Sequence, residues 1–168
     1  AHKRIQLGIA YTFQITSVFG GLSCHENVAL AARRLTGSDR AALEVRVADA
    51  LDRVGLSDRA TQIAGDLRYG HQRLLEIAMG LVQAPSLFIL DEPTQGLSEA
   101  EVQAFMALMR SLAGETTILL IEHNMSVVMQ TADRITVLNY GEVLASGTPD
   151  EVRGDPHVQA AYLGTADA

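Results

Sequence analysis

The sequence predicts an α/β fold on a parallel sheet, from two apolar runs with a capped helix between them. Leu87-Phe88-Ile89-Leu90 reads as a strand buried on both faces, and residues 116–121 read as a second. Between them, Ser98-x-x-Glu101 is a capping box. It opens a helix with Val102, Phe105, Met106, Met109 and Leu112 on one face, and Gly114 closes it. Strand, helix and strand in that order make a βαβ unit, whose strands run parallel with a crossover between them.

The segments before this unit are mainly helical. Residues 7–11 are a short apolar stretch leading into Thr12-Phe13-Gln14. Ser23-x-x-Glu26 is another capping box, starting a helix expected to run to about Arg34 and broken over residues 35–38. Leu43, Val47, Ala50, Leu51 and Val54 recur at helical spacing until Gly55. A polar link over residues 57–65 leads to Leu67-Arg68-Tyr69-Gly70-His71-Gln72. Leu74, Leu75, Ile77, Ala78, Leu81 and Val82 then line a third helix, which stops before Pro85. Beyond the second strand, residues 134–138 and 142–146 flank Asn139-Tyr140-Gly141 as a hairpin. Thr148-Pro149 and Asp155-Pro156 each place a capping side chain before a proline, and start two short closing helices.

Composition narrows the function. The 168 residues are 48% apolar, enough for one ordinary core. The net charge is −7 with Lys and Arg scattered, which argues against a nucleic-acid footprint or a patch for anionic membrane. A single cysteine, Cys24, excludes an internal disulfide, suits a reducing compartment and is expected as a small buried residue. No apolar run approaches the length of a membrane span, and there is no secretory signal pattern. The expectation is a cytosolic chain. With no initiator Met at residue 1, it also reads as part of something longer.

The chemistry-bearing residues lie where strands end. In parallel α/β sheets, ligands sit beyond the carboxyl ends of the strands. Asp91 and Glu92 occupy one such end and Glu122-His123-Asn124 the next. One carboxylate can hold Mg²⁺ through its water shell, and its neighbour can take a proton from an attacking water. An imidazole beside them can contact a transferring phosphoryl group or orient that water. Gly70 stands where a helix begins, where unpaired N–H groups favour an anion. Gln14 offers a neutral amide for a metal or a water. Taken singly, each has a plain counterpart: an acidic turn after a strand, a structural histidine, an ordinary helix-start glycine, a loop glutamine.

Together and in this order, the segments resemble the ATPase subunits of ATP-binding cassette (ABC) transporters, over about residues 1–164. Gln14 matches the Q-loop, residues 67–72 the signature motif, and residues 87–92 Walker B with Glu92 as catalytic glutamate. Gly96-Leu97-Ser98 matches the D-loop, and His123 the switch histidine. Four segments narrow the likeness to branched-chain amino-acid importers, with urea-type importers close in wording. They are Gly8-Ile9-Ala10-Tyr11-Thr12-Phe13-Gln14, Arg73-x-x-Glu76-Ile77-Ala78, Leu120-Ile121-Glu122-His123-Asn124-Met125 and Ala160-Ala161-Tyr162-Leu163-Gly164.

The resemblance implies a P-loop NTPase-type core with a mostly parallel sheet, plus a helical subdomain. Residues 1–22 would end the N-terminal core segment, residues 23–84 would form the helical subdomain, and residues 85–168 the C-terminal core. It implies ATP and Mg²⁺, with Glu92 and His123 catalytic, Gln14 and Asp91 on the metal, and Gln14, Arg68, Gly70 and Ser98 on nucleotide. A second ATPase subunit, identical or not, and transmembrane permease subunits would be the partners, at the cytoplasmic face of the membrane. No nucleic acid is implied.

Two departures qualify the likeness. No G-x-x-x-x-G-K-[ST] string occurs, so the chain reads as truncated upstream of the Q-loop, without the Walker A loop that grips phosphates. On that expectation these residues alone bind Mg-ATP weakly, are inactive, and leave sheet edge uncovered. Arg68 also stands where many members have Ser, and could meet phosphate or solvent. The alternative function is a non-catalytic or split cassette that serves as an interaction module. Soluble cassettes of translation or DNA repair fit less well, because neither a tandem cassette nor a coiled-coil insertion is present.

Overall fold

The computed structural model describes residues 7–12 and 17–163, in two compact units, Ala1–Glu122 and His123–Ala168. In the first, strand β1 (Ile9–Tyr11) precedes helices α1 (Cys24–Thr36) and α2 (Arg40–Arg53). Two 3-10 turns, Ser57–Arg59 and Ala64–Asp66, lead to α3 (Tyr69–Leu81). Strand β2 (Leu87–Asp91), helix α4 (Glu99–Ser111) and strand β3 (Thr117–Ile121) complete it. The three strands are parallel with β2 central; Ala10 pairs with Phe88, and Phe88 with Ile118. The expected βαβ unit is therefore present, with Asp91 as the last residue of the central strand.

Helix α1 starts at its capping box: the Ser23 hydroxyl accepts from the Glu26 N–H, and the Glu26 carboxylate accepts from the Ser23 N–H at 2.8 Å. It runs two residues past the expected end, to Thr36, because Gly37 at φ +56° supplies the left-handed stop. Helix α2 starts earlier than its apolar spacing suggests, since Asp39 caps it by accepting from the Ala42 N–H.

The polar link after α2 is held to the chain before and at the start of α1. Cys24 N–H donates to Gln62, His25 N–H to Ala60, and Ala64 N–H to Leu22. Buried Asn27 ties the same region by donating to the carbonyls of Phe19, Leu22 and Ser23. Cys24 is fully buried as expected, and burial raises its thiol pKa.

Helices α1, α2 and α3 pack on one another, and Leu75, Ile77 and Ala78 of α3 are fully buried. The close approach of α3 to β2 depends on Gly80. A Cβ there would overlap the ring of Phe88, itself fully buried. The helix that follows the signature segment is thus seated on the strand that carries Asp91.

The second unit holds α5 (Met125–Thr131), strands β4 (Ile135–Asn139) and β5 (Glu142–Gly147), α6 (Pro149–Gly154) and α7 (Pro156–Leu163). The strands pair antiparallel around Tyr140 and Gly141, both at positive φ, which gives the hairpin a turn whose twist matches its strands. Ile135, Val137, Val152 and Val158 form its core, with Val128, Met129 and Leu144 against them. Helix α5 was not foreseen; Asn124 caps it by accepting from the N–H groups of Ser126 and Val127. Among the described residues, no helix is long and apolar enough to cross a membrane.

Candidate active site

The site is built on the turn that leaves β2. Asp91 and Glu92 are both half-buried. Glu92 sits at φ +46°, a left-handed conformation that is uncommon for a residue with a side chain and costs on the order of 1–3 kcal/mol. Four hydrogen bonds, from three directions, hold the turn there. Its N–H donates to the Ile121 carbonyl on β3 at 2.8 Å. The Thr94 N–H donates to Glu122 at 2.9 Å, and the Thr94 hydroxyl donates to the same carboxylate oxygen. On the inner side, Arg73 of α3 donates to the Asp91 carbonyl.

Asp91 has a further partner. The Tyr11 phenol, at the end of β1, donates to its carboxylate at 3.0 Å. Sharing that proton with a carboxylate raises the phenol above its ordinary range. Parallel pairing of β1 with β2 brings Tyr11 opposite Ile89, two residues before Asp91. Tyr11, Arg73, Thr94 and Glu122 were given no role on sequence grounds. The signal for Arg73 was an Arg and a Glu three residues apart within an apolar stretch of helix, a spacing that allows a buried pair.

The signature segment has a different character. Arg68 is exposed and stands at the start of α3 without capping it through its side chain. Gly70 is buried instead, and a Cβ on it would lie 3.1 Å from Leu97 and 3.2 Å from the Glu101 carboxylate. His71 approaches Glu101 at 3.4 Å, yet its pKa is lowered, first by burial and then by the positive charge of Arg59. Ser98 is exposed and caps α4: its hydroxyl donates to Glu101 at 2.7 Å and accepts from the Glu101 N–H. Those bonds from Ser98 hold the Glu101 carboxyl below the usual range. Gly96, at φ +77°, leaves room for the Tyr69 ring, so the turn before α4 touches the start of α3.

Two further expected site residues are Gln14 and His123. Gln14 lies outside the described residues. His123 opens the second unit, where it is exposed.

The donor set fits Mg²⁺, which takes one or two oxygen ligands from protein and keeps several waters. The Asp91 carboxylate is an oxygen donor of that kind. Among the described residues, no group of three His, Cys, Asp or Glu side chains forms a metal cage.

A parallel sheet with adjacent acids at the end of its central strand, flanked by a helical layer, defines an α/β protein with the donors that nucleotide hydrolysis needs. The comparisons make this specific. The family model for the ABC transporter matches residues 1–95, and the model for the branched-chain amino acid ATP-binding cassette transporter matches residues 142–168. The high-affinity branched-chain amino acid transport ATP-binding protein BraF of Pseudomonas aeruginosa is 40% identical, over 98% of this chain and 71% of its own length. MJ1267, an ATP-binding cassette of an ABC transporter, superposes with a TM-score of 0.82 at 23% identity, over 96% of this chain and 71% of its own. The ATP-binding cassette MJ0796, a dimer bound to ADP and Pi, gives 0.76 at 25% identity, over 84% and 62%.

The chain belongs to the ABC transporter ATPase family, an ATP-binding and ATP-hydrolysing class. Use of ATP with Mg²⁺ follows from that membership.

These findings correct one expectation. The expectation is a cassette truncated upstream of the Q-loop and lacking Walker A. The ABC transporter model matches from residue 1 through residue 95, and BraF aligns over 98% of the chain. The missing G-x-x-x-x-G-K-[ST] string describes only these residues, since a stretch of sequence reports nothing of what adjoins it. No loss of a phosphate loop follows.

Proposed function

We propose that this chain is the ATPase subunit that energises an importer of branched-chain amino acids, with Glu92 as the general base. Identity to BraF and the match of residues 142–168 to the branched-chain family support the substrate class. The observation that carries the catalytic assignment is the turn after β2. Glu92 follows the central parallel strand directly, in a conformation held from β3 and from α3. A carboxylate carried on a held backbone at a strand's carboxyl end is placed to take a proton from water.

Asp91 and Gln14 would hold Mg²⁺ through oxygen. When bound, Mg²⁺ offsets phosphate charge. Tyr11 keeps the Asp91 carboxylate oriented, and His123 contacts the transferring phosphoryl group. Arg68, Gly70 and Ser98 would serve nucleotide, with exposed Arg68 facing a second ATPase subunit; that MJ0796 is a dimer supports such a pairing of subunits. Residues 23–84 act as the helical subdomain that transmits closure to permease subunits at the inner face of the membrane, and residues 1–22 and 85–168 as core.

Glu92→Gln in the full-length protein tests the assignment. The amide keeps the shape and loses the basicity, so ATP binding is retained while turnover falls by about 10²–10⁴-fold. Steady-state hydrolysis within a few-fold of wild type would rule Glu92 out as the base.

A further inference from the structure

We propose that Arg73 is a positioning residue for hydrolysis, acting through the peptide between Asp91 and Glu92. The inference rests on Glu92 being the general base. The Arg73 side chain is fully buried, on the face of α3 that meets β2. Its Nη1 donates to the Glu76 carboxylate at 2.9 Å, and its Nη2 donates to the Asp91 carbonyl. Glu76 is itself buried, at 7% side-chain exposure, and lies one helical turn further along.

The same peptide is held from its other edge. Its N–H, that of Glu92, donates to Ile121 at 2.8 Å. Fixing the carbonyl and the N–H of one peptide fixes its plane, and the plane sets φ of the residue that follows. That residue is Glu92, at φ +46°. In an extended continuation of β2, the Asp91 carbonyl would seek a neighbouring strand. Here it is turned to a guanidinium inside the core.

The choice of Arg follows from its shape. A planar fork can donate to a carboxylate and a carbonyl at once, whereas an ammonium is a single point. Glu76 matches the buried charge, so the arginine stays in place without water. Arg73 also lies five residues beyond Arg68 on the helix that begins at the signature segment. A shift of α3 is therefore transmitted to the peptide that carries the base.

The test uses the full-length protein and separates positioning from folding. Arg73→Lys keeps the charge beside Glu76 and loses the second arm. It is expected to lower kcat by about ten- to hundredfold with the KM for ATP unchanged, as expected for a misplaced group outside the binding contacts. In a Glu92→Gln background, Arg73→Lys is expected to cause no further loss in single-turnover hydrolysis, because the group it positions is gone. Multiplying losses in that background would overturn the proposal, and so would an unchanged kcat. Glu92→Gln measured alone reports separately on the general-base assignment. The double variant Arg73→Met with Glu76→Leu removes both buried charges and guards against misfolding of the single variant. It is expected to fold and to show the same kcat loss. Wild-type turnover in the double variant, or failure of both variants to fold, would assign Arg73 to the fold alone.

Discussion

The turn after β2 and the signature edge before α3 belong to one site class and are built in opposite ways. The turn is gripped from three directions, by Arg73, by the Ile121 carbonyl and by Glu122 through Thr94. The edge presents Arg68 to solvent, with no cap from its own side chain. Behind it, Gly70 and Tyr69 are fitted closely against Leu97 and Gly96. The contrast teaches a division of labour. A group that moves a proton needs a fixed frame, because misplacement costs rate. A group that meets a second molecule gains from exposure, and its order can come from the partner.

Three experiments can break or sharpen that contrast. The largest stability effect is expected on the turn. Glu122→Ala takes the acceptor from the N–H and hydroxyl of buried Thr94, which costs about 1–3 kcal/mol in chemical denaturation. Turnover should fall with it. A loss below about 0.5 kcal/mol would mean that Glu122 does not hold the turn through Thr94.

A smaller effect on stability is expected at the edge. Arg68→Ala should change it by less than about 0.5 kcal/mol, since the side chain is exposed. ATP-dependent pairing of full-length subunits, followed by light scattering in the Glu92→Gln protein, should weaken more than nucleotide binding does. Equal losses in both, or none, would remove Arg68 from the interface.

The smallest effect is a pH dependence at the same edge. Burial, then the charge of Arg59, lowers the His71 pKa below its ordinary 6.5, with Arg68 adding to this and Glu101 opposing it. The unfolded chain therefore takes up the proton first as pH falls. The associated stability is fully present above pH 6.5 and is lost as pH drops below that value towards the folded-state pKa. Thermal melting across this window should show the loss in wild type and less of it in His71→Gln. Identical profiles would place the effect elsewhere.

Much of this contrast was visible in the residues. The acidic pair after an apolar run, the capping boxes at Ser23 and Ser98, and the hairpin at Tyr140-Gly141 are local signals, and each formed. The grip on the turn was not visible. Arg73, Glu122 and Tyr11 reach residues 18, 28 and 80 positions away along the chain. Helix α5 was missed for a different reason. Its start lies in the Asn124 side chain and not in an apolar stripe, of which only Val127 is buried. The link over residues 57–65 looked like plain loop because its order comes from backbone bonds to distant carbonyls.

By itself, the sequence determined the capped helices, the parallel βαβ unit, the position of Asp91 and Glu92 at a strand end, and the family likeness. All of these follow from periodicity, caps and short motifs that act within a few residues. Tertiary structure alone decided that Gly80 lets α3 lie against Phe88. It also decided that a buried arginine turns the Asp91 carbonyl inward while Glu92 takes a left-handed backbone. The physical reason is that a peptide plane is set by both of its hydrogen-bond partners. Here those partners come from α3 and β3, elements that only the folded chain brings together.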